Sequence, residues 1–297
     1  MSRLIVSLPP LEGTSGSDLV VGQEDNALPA IGIEVLKNGV IDTQASNDTI
    51  EGSATGGTDD GTGTGGTGTG IANSGTINAG RGNDTIEGSG TDGEAFRGET
   101  APDIGISNAQ GGYINGGDGK DSISGIGKSG IDNTQDSRID GGFGDDFIIG
   151  TALGGFEESA GGIFNTGSSD INGGEGNDSI QGTGSGGTSS TGGDGTGIFN
   201  SGASMISGGL GNDSIIGIGN GSDAGLEPIR QYEPGRGIGI SNSEGSVINA
   251  DQGNDFISGT GTGGAGSYDT PFGELGPGVG IGIINGRFAH FTNRVAK

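Results

Sequence analysis

Residues 163–182 read IFNTGSSDINGGEGNDSIQG, and the spacing inside this stretch decides the fold. Three isoleucines, Ile163, Ile171 and Ile180, stand eight and nine residues apart, with an Asn two places after the first and a Gly-Gly-x-Gly-Asn-Asp turn between the second and third. The same frame recurs along the 297-residue chain. The second and third anchors are Ile41/Ile50, Ile77/Ile86, Ile114/Ile123, Ile139/Ile148, Ile171/Ile180, Ile206/Ile215 and Ile248/Ile257, always nine apart. A first anchor precedes each pair: Ile33, Ile71, Ile106, Ile131, Ile163, Ile198 and Ile240. It stands eight residues ahead in every unit but one, where Ile71 is six ahead. Leu11/Val20 repeats the pair as a degraded opening unit, and GIIN at 282–285 begins a unit that is not completed.

From a third anchor to the next first anchor the spacing is loose: 21, 20, 8, 15, 18, 25 and 26 residues. A rigid repeat with variable length at one point reads as a scaffold with loops leaving one edge. Glycine is too frequent, and a 3.6-residue apolar stripe too absent, for helix. Short β-branched segments between glycine turns read as strands. The expectation is an all-β, parallel three-sided β-solenoid of about seven to eight rungs, with Gly/Ser/Thr-rich loops at one edge. At about 4.8 Å per rung this is a rod roughly 35–40 Å long. Residues 1–32 form an N-terminal segment with the degraded rung, 33–261 the repeats, and 262–297 a last loop, a partial rung and a basic tail.

Composition frames the problem this fold must solve. Glycine supplies 74 residues, hydrophobic types only 28%, and 38 acids against 12 bases give a net charge of −26. By default such a chain is a disordered Gly-rich linker, unable to bury enough apolar surface to offset chain entropy. Something besides an apolar core must hold it. The acidity excludes nucleic acid as a partner, and no apolar run approaches the 18 or so residues of a membrane span. Cysteine is absent and His290 is the single histidine, so neither a disulfide framework nor a histidine-based metal or triad site is open to the chain. Acidic pairs such as Asp59-Asp60 and Glu157-Glu158 fall in loops, the bases do not cluster, and no rung breaks the pattern as a catalytic site would. The chain reads as a non-enzyme.

The chemistry concentrates in the turn before the third anchor. It runs AGRGNDTI at 79–86, GGDGKDSI at 116–123, GGFGDDFI at 141–148, GGEGNDSI at 173–180, GGLGNDSI at 208–215 and ADQGNDFI at 250–257. It resembles the Gly-Gly-x-Gly-x-Asp nonapeptide of the RTX (repeats-in-toxin), hemolysin-type calcium-binding repeat family. Four copies match every fixed position, two have Ala for the first Gly, and the last has Asp251 for the second. The resemblance implies calcium, several ions per chain, held by Asp84, Asp121, Asp146, Asp178, Asp213 and Asp255. The adjoining backbone carbonyls at Gly80, Gly82, Gly117, Gly119, Gly142, Gly144, Gly174, Gly176, Gly209, Gly211 and Gly253 complete the set. Asp48 keeps the carboxylate without the glycines, and Asp18 is weaker still. Physically, glycines aim carbonyls at one point, and a hard dication wants six to eight oxygens, which two stacked turns can share. One turn per 25 to 42 residues, instead of directly successive nonapeptides, implies a single ion column on one edge. Lys120 places a cation beside one site. Turn capping by Asp is the competing reading, yet a carboxylate column without cations repels itself.

A second polar series, Asn73, Asn108, Asn133, Asn165, Asn200, Asn242 and Asn285, would serve either as a binding array for ice or polysaccharide or as a structural ladder. Amide hydrogen bonding between rungs favours the ladder, and the Thr-Gly runs at 62–69 and 259–262 read as loops. The functional expectation is a calcium-stabilised structural protein, secreted or on the cell surface, where external calcium is plentiful. The alternative is an adhesin-like module meeting a glycan or protein through the loops 226–237 and 266–278, which hold Tyr232, Tyr268 and Phe272. Uncapped ends and opposite end charges (Arg287, Arg294 and Lys297 against an acidic start) suggest a homo-oligomer, a head-to-tail filament. In it, an N-terminal unit offering its second and third strands complements a C-terminal unit offering its first and second.

Overall fold

A computed structural model describes residues 2–58, 65–93, 103–155, 159–188, 192–224, 233–266, 277–286 and 290–294. These residues form strands and turns without a helix. Consecutive strands enter three different sheets, and each strand pairs in parallel with the strand three places away. The first sheet runs from Leu4–Val6 to Gly280–Asn285, the second from Leu11–Glu12 to His290–Arg294, and the third from Leu19–Ala27 to Phe256–Thr262. They hold nine, nine and eight strands. The protein is a three-sided parallel β-solenoid, with eight full rungs and a ninth of two strands among the described residues.

The anchors set the register. Ile106 pairs with Ile131, Ile114 with Ile139 and Ile123 with Ile148, and the pattern holds from rung to rung. From Ile33 to Ile248 the anchors are buried, and Ile257 packs against them half-buried. Each buried isoleucine contributes roughly 2–3 kcal/mol, so three per rung make a thin core.

Glycine supplies a further part of the interior, in a way composition did not reveal. Two residues after each third anchor stands a glycine, such as Gly88, and before each first anchor another, such as Gly105. A β-carbon on Gly88 would lie 2.2 Å from the Gly105 carbonyl oxygen. Along these glycine rows the third sheet therefore packs on the first backbone to backbone. The Thr-Gly runs expected as loops belong partly to this contact. Gly68 and Thr69 open the strand Gly68–Asn73, and 259–262 lies inside Phe256–Thr262, paired with Gly217–Asn220.

The asparagine series is a structural ladder. Asn108 Nδ2 donates to Asn133 Oδ1 at 2.8 Å, Asn133 to Asn165 at 2.8 Å and Asn165 to Asn200 at 2.9 Å. Asn73, Asn108, Asn133, Asn165, Asn200 and Asn242 are buried, so these side chains offer no surface to ice or glycan. A parallel serine ladder, Ser137, Ser169, Ser204 and Ser246, joins Oγ atoms to the preceding rung's N–H at 3.1 Å.

The opening unit is more complete than expected. Besides Leu11 opposite Ile41 and Val20 opposite Ile50, a first strand pairs Leu4 with Ile33 ahead of Pro9 and Pro10. Arg3 fastens it, with Nη2 2.7 Å from Glu24 Oε2 and Nη1 3.1 Å from Glu34 Oε2. The N-terminal unit thus contributes three strands, not the two that half-unit complementation requires. At the other end Ile283 pairs with Ile240 and Phe291 with Ile248, as the partial unit predicts. Tyr232, Tyr268, Phe272, Asp59, Asp60, Glu157, Glu158, Arg287 and Lys297 lie outside the described residues.

Candidate metal-binding turns

The repeated turn joins the second sheet to the third. Its second glycine (Gly80, Gly117, Gly142, Gly174, Gly209) has φ between 97° and 119°, and its third (Gly82, Gly119, Gly144, Gly176, Gly211, Gly253) between 124° and 156°. A β-carbon on Gly144 would lie 1.7 Å from the Gly119 oxygen, and one on Gly211 1.7 Å from the Gly176 oxygen. Each third-glycine carbonyl thus points along the stack at the next turn. The backbone keeps this shape where glycine is missing: Gln44, Ser46 and Asp251 have φ of 70°, 83° and 62°. The turn between Ile41 and Ile50, with Asp48, therefore stands in the same stack as the others.

Inside the turns the aspartates form one column. Asp48, Asp84, Asp121, Asp146, Asp178 and Asp213 are all buried. Each carboxylate accepts through Oδ1 from the backbone N–H of the preceding aspartate: Asp84 N–H to Asp121 at 2.8 Å, Asp121 to Asp146 at 2.7 Å, Asp178 to Asp213 at 2.8 Å and Asp213 to Asp255 at 3.0 Å. The other oxygen, Oδ2, is buried without a hydrogen-bond partner in Asp48, Asp84, Asp121, Asp146, Asp178, Asp213 and Asp255. In the four turns that keep the first glycine, Oδ2 occupies the space that a side chain at that glycine would need. A β-carbon on Gly116 would lie 2.8 Å from Asp121 Oδ2, and one on Gly208 2.6 Å from Asp213 Oδ2. Asp18 closes the column half-buried, its carboxylate taken up by Thr14 N–H at 2.6 Å.

An orphaned, buried carboxylate oxygen is costly. Burial pushes the carboxyl groups of Asp84, Asp146 and Asp213 up to about 6 and those of Asp121 and Asp178 up to about 7, against the donated N–H, with neighbouring carboxylates adding to the rise. A proton, or a cation in its place, would satisfy these oxygens. Among the described residues no three acidic or histidine side chains converge on one point, so an ion here would draw most of its ligands from backbone carbonyls. An all-oxygen donor set of this kind suits a hard dication and not zinc.

Outside the column runs a second, exposed ladder of opposite direction. Asn83 N–H donates to Asn47 Oδ1, Lys120 N–H to Asn83 Oδ1, Asn177 N–H to Asp145 Oδ1 and Asn212 N–H to Asn177 Oδ1, at 2.7 to 3.0 Å. Lys120 belongs to this outer row, its Nζ 4.7 Å from the centre of the Phe147 ring.

Two features escaped the sequence reading. Lys128 is buried at 8% exposure, with Nζ 3.2 Å from Asp92 Oδ2. Beside it Asp103 is buried and pushed up to about 6, chiefly by burial. The signal was the eight-residue spacing between Ile123 and Ile131, which leaves Lys128 as the whole connection between strands Ser122–Gly127 and Ser129–Thr134. The second is the outward row Asp132, Phe164 and Phe199 on the first sheet, in register from rung to rung.

No family model matches the chain, and no curated protein or solved structure matches it.

Proposed function

We propose that this chain is a calcium-stabilised structural solenoid of the cell surface or extracellular space. The observation that carries the reading is the column of seven aspartates, six of them buried and Asp255 half-buried, each with one oxygen fastened to the preceding aspartate's N–H and one without a protein partner. Calcium would be held by Asp48, Asp84, Asp121, Asp146, Asp178, Asp213 and Asp255 with carbonyls of the turn glycines, and it would neutralise the column. The resemblance of the turn to the RTX nonapeptide supports calcium over other dications. The low cytosolic level of calcium supports an extracellular setting, where such turns fill. Equilibrium dialysis of the full chain should find about five to seven calcium ions bound per chain. Fewer than two would remove the ion from a structural role.

End-on association of copies extends the reading. Among the described residues each sheet ends on strands paired on one side only, and Ile5, Leu8 and Leu19 in the first rung are exposed. Open strand edges template further pairing, and a contact between unlike ends builds filaments. Electron microscopy in calcium should show rods longer than nine rungs; uniform single rods at high concentration contradict end-on association alone.

A further inference from the structure

We propose that the outer face of the first sheet binds an uncharged linear polysaccharide, laid along the solenoid axis across Phe164 and Phe199. A groove of about 880 Å³ runs over this face, lined by Ser129, Asp132, Phe164, Thr196, Phe199 and Ile238. Its floor is two in-register rows. Asp132, Phe164, Phe199 and Ser241 are Cα partners across four successive rungs, as are Ser129, Gly161, Thr196 and Ile238. Contacts therefore repeat at the strand spacing of about 4.8 Å, which suits a polymer that meets one rung per monomer and not a compact ligand.

The side chains match a sugar chain. The Phe164 and Phe199 rings lie 5.8 Å apart at 57°, an aromatic platform for the C–H faces of pyranose rings. Phe164 can lie low because Gly161 stands beneath it: a β-carbon there would meet the ring at 2.1 Å. Ser129 Oγ donates to Asp132 Oδ1, which orients that carboxylate at the end of the aromatic row, and the Thr196 and Ser241 hydroxyls add groups for sugar hydroxyls. Burial raises the Asp132 carboxyl above its ordinary range, the setting of an acid that meets neutral hydroxyls. The net charge of −26 repels acidic glycans and nucleic acid. The groove opens where the connecting loop shrinks to Lys128 alone. The polar groove on the second sheet, about 580 Å³, differs: its floor side chains are committed to one another, as Asn172 Nδ2 is to Asp140 Oδ1 at 2.9 Å.

The test is calorimetric titration of the full chain in calcium with cellohexaose, chitohexaose and polygalacturonate. At least one neutral hexaose should bind and polygalacturonate should not. The double variant Phe164→Ala/Phe199→Ala should weaken binding tenfold or more, with an unchanged far-ultraviolet spectrum and unchanged calcium uptake. Phe143→Ala, on the second sheet, should leave binding intact. Should the double variant fail to fold, Asp132→Asn must itself weaken binding at least threefold. Absence of binding by both neutral hexaoses at millimolar concentration overturns the proposal, as does unchanged affinity in these variants. Because calcium uptake is read separately, failure here leaves the structural role of the ion standing.

Discussion

The backbone N–H of Asp146 donates to Oδ1 of Asp178 at 2.8 Å, across 32 residues of chain and one rung of the solenoid. The same bond joins Asp18 to Asp48 and Asp48 to Asp84, each at 2.7 Å. Each carboxylate is thus held by the rung before it and cannot move independently. Its second oxygen is left for something the protein does not supply.

Removing a mid-column carboxylate should therefore hurt more than removing a terminal one. Asp178→Ala strands the buried Asp146 N–H and deletes one orphaned oxygen, a loss of about 1–3 kcal/mol before any ion is counted. Asp18→Ala, at the half-buried end, should stay within about 0.5 kcal/mol. Asp48→Ala should behave like Asp178→Ala, because Asp48 is bonded on both sides. Thermal melts in calcium check this, and equal shifts for Asp18 and Asp178 would contradict a coupled column.

Without metal, the raised carboxyl groups fix the sign of the pH dependence. Between about 4, the ordinary carboxylate range, and the values of about 6 to 7 at Asp84, Asp121, Asp146, Asp178 and Asp213, the folded chain binds more protons than the unfolded one. Stability must then fall as pH rises through that window. In chelator, the β-structured fraction should be higher at pH 4.5 than at pH 7.5. With calcium the order should reverse, since protons compete for the same oxygens. A chelated chain that is more stable at pH 7.5 contradicts the buried column.

The asparagine ladder should be a stability element and nothing else. Asn165→Ala loses the bonds of Nδ2 to Asn200 Oδ1, Ser169 O and Met205 O, at 2.9, 3.1 and 2.8 Å. It also strands Asn133. A destabilisation of at least about 2 kcal/mol is expected in urea melts, with calcium stoichiometry unchanged.

Interior and turn glycines should separate cleanly. Gly88→Ala drives a β-carbon to 2.2 Å from a backbone oxygen and must push the third sheet off the first. Gly111→Ala, at φ 80° with nothing within 4 Å, should cost only the left-handed penalty of about 1–2 kcal/mol. Comparable melting temperatures for the two variants would refute backbone-to-backbone packing.

Fold and register were legible because Ile106, Ile131 and their equivalents keep fixed spacing, and a parallel coil turns equal spacing into a stack. The aspartate column was legible for the same reason, one Asp per turn. The glycines at 88 and 105 were not, since a residue without a side chain leaves no periodic apolar mark, and loop and interior glycines read alike. Asp48 stood out less because its neighbours Gln44 and Ser46 lack glycine's freedom, yet the stack holds them left-handed. The first strand at Leu4–Val6 hid behind Pro9, and Asp132, Phe164 and Phe199 hid because each appears once while their register exists only across rungs.

The central claim, that a cation completes the aspartate column, is tested most directly by far-ultraviolet circular dichroism of the full chain at pH 7.5. In chelator the account predicts a coil spectrum that converts cooperatively to β-structure in millimolar calcium, with magnesium much less effective. A β spectrum that stays unchanged in chelator would contradict it.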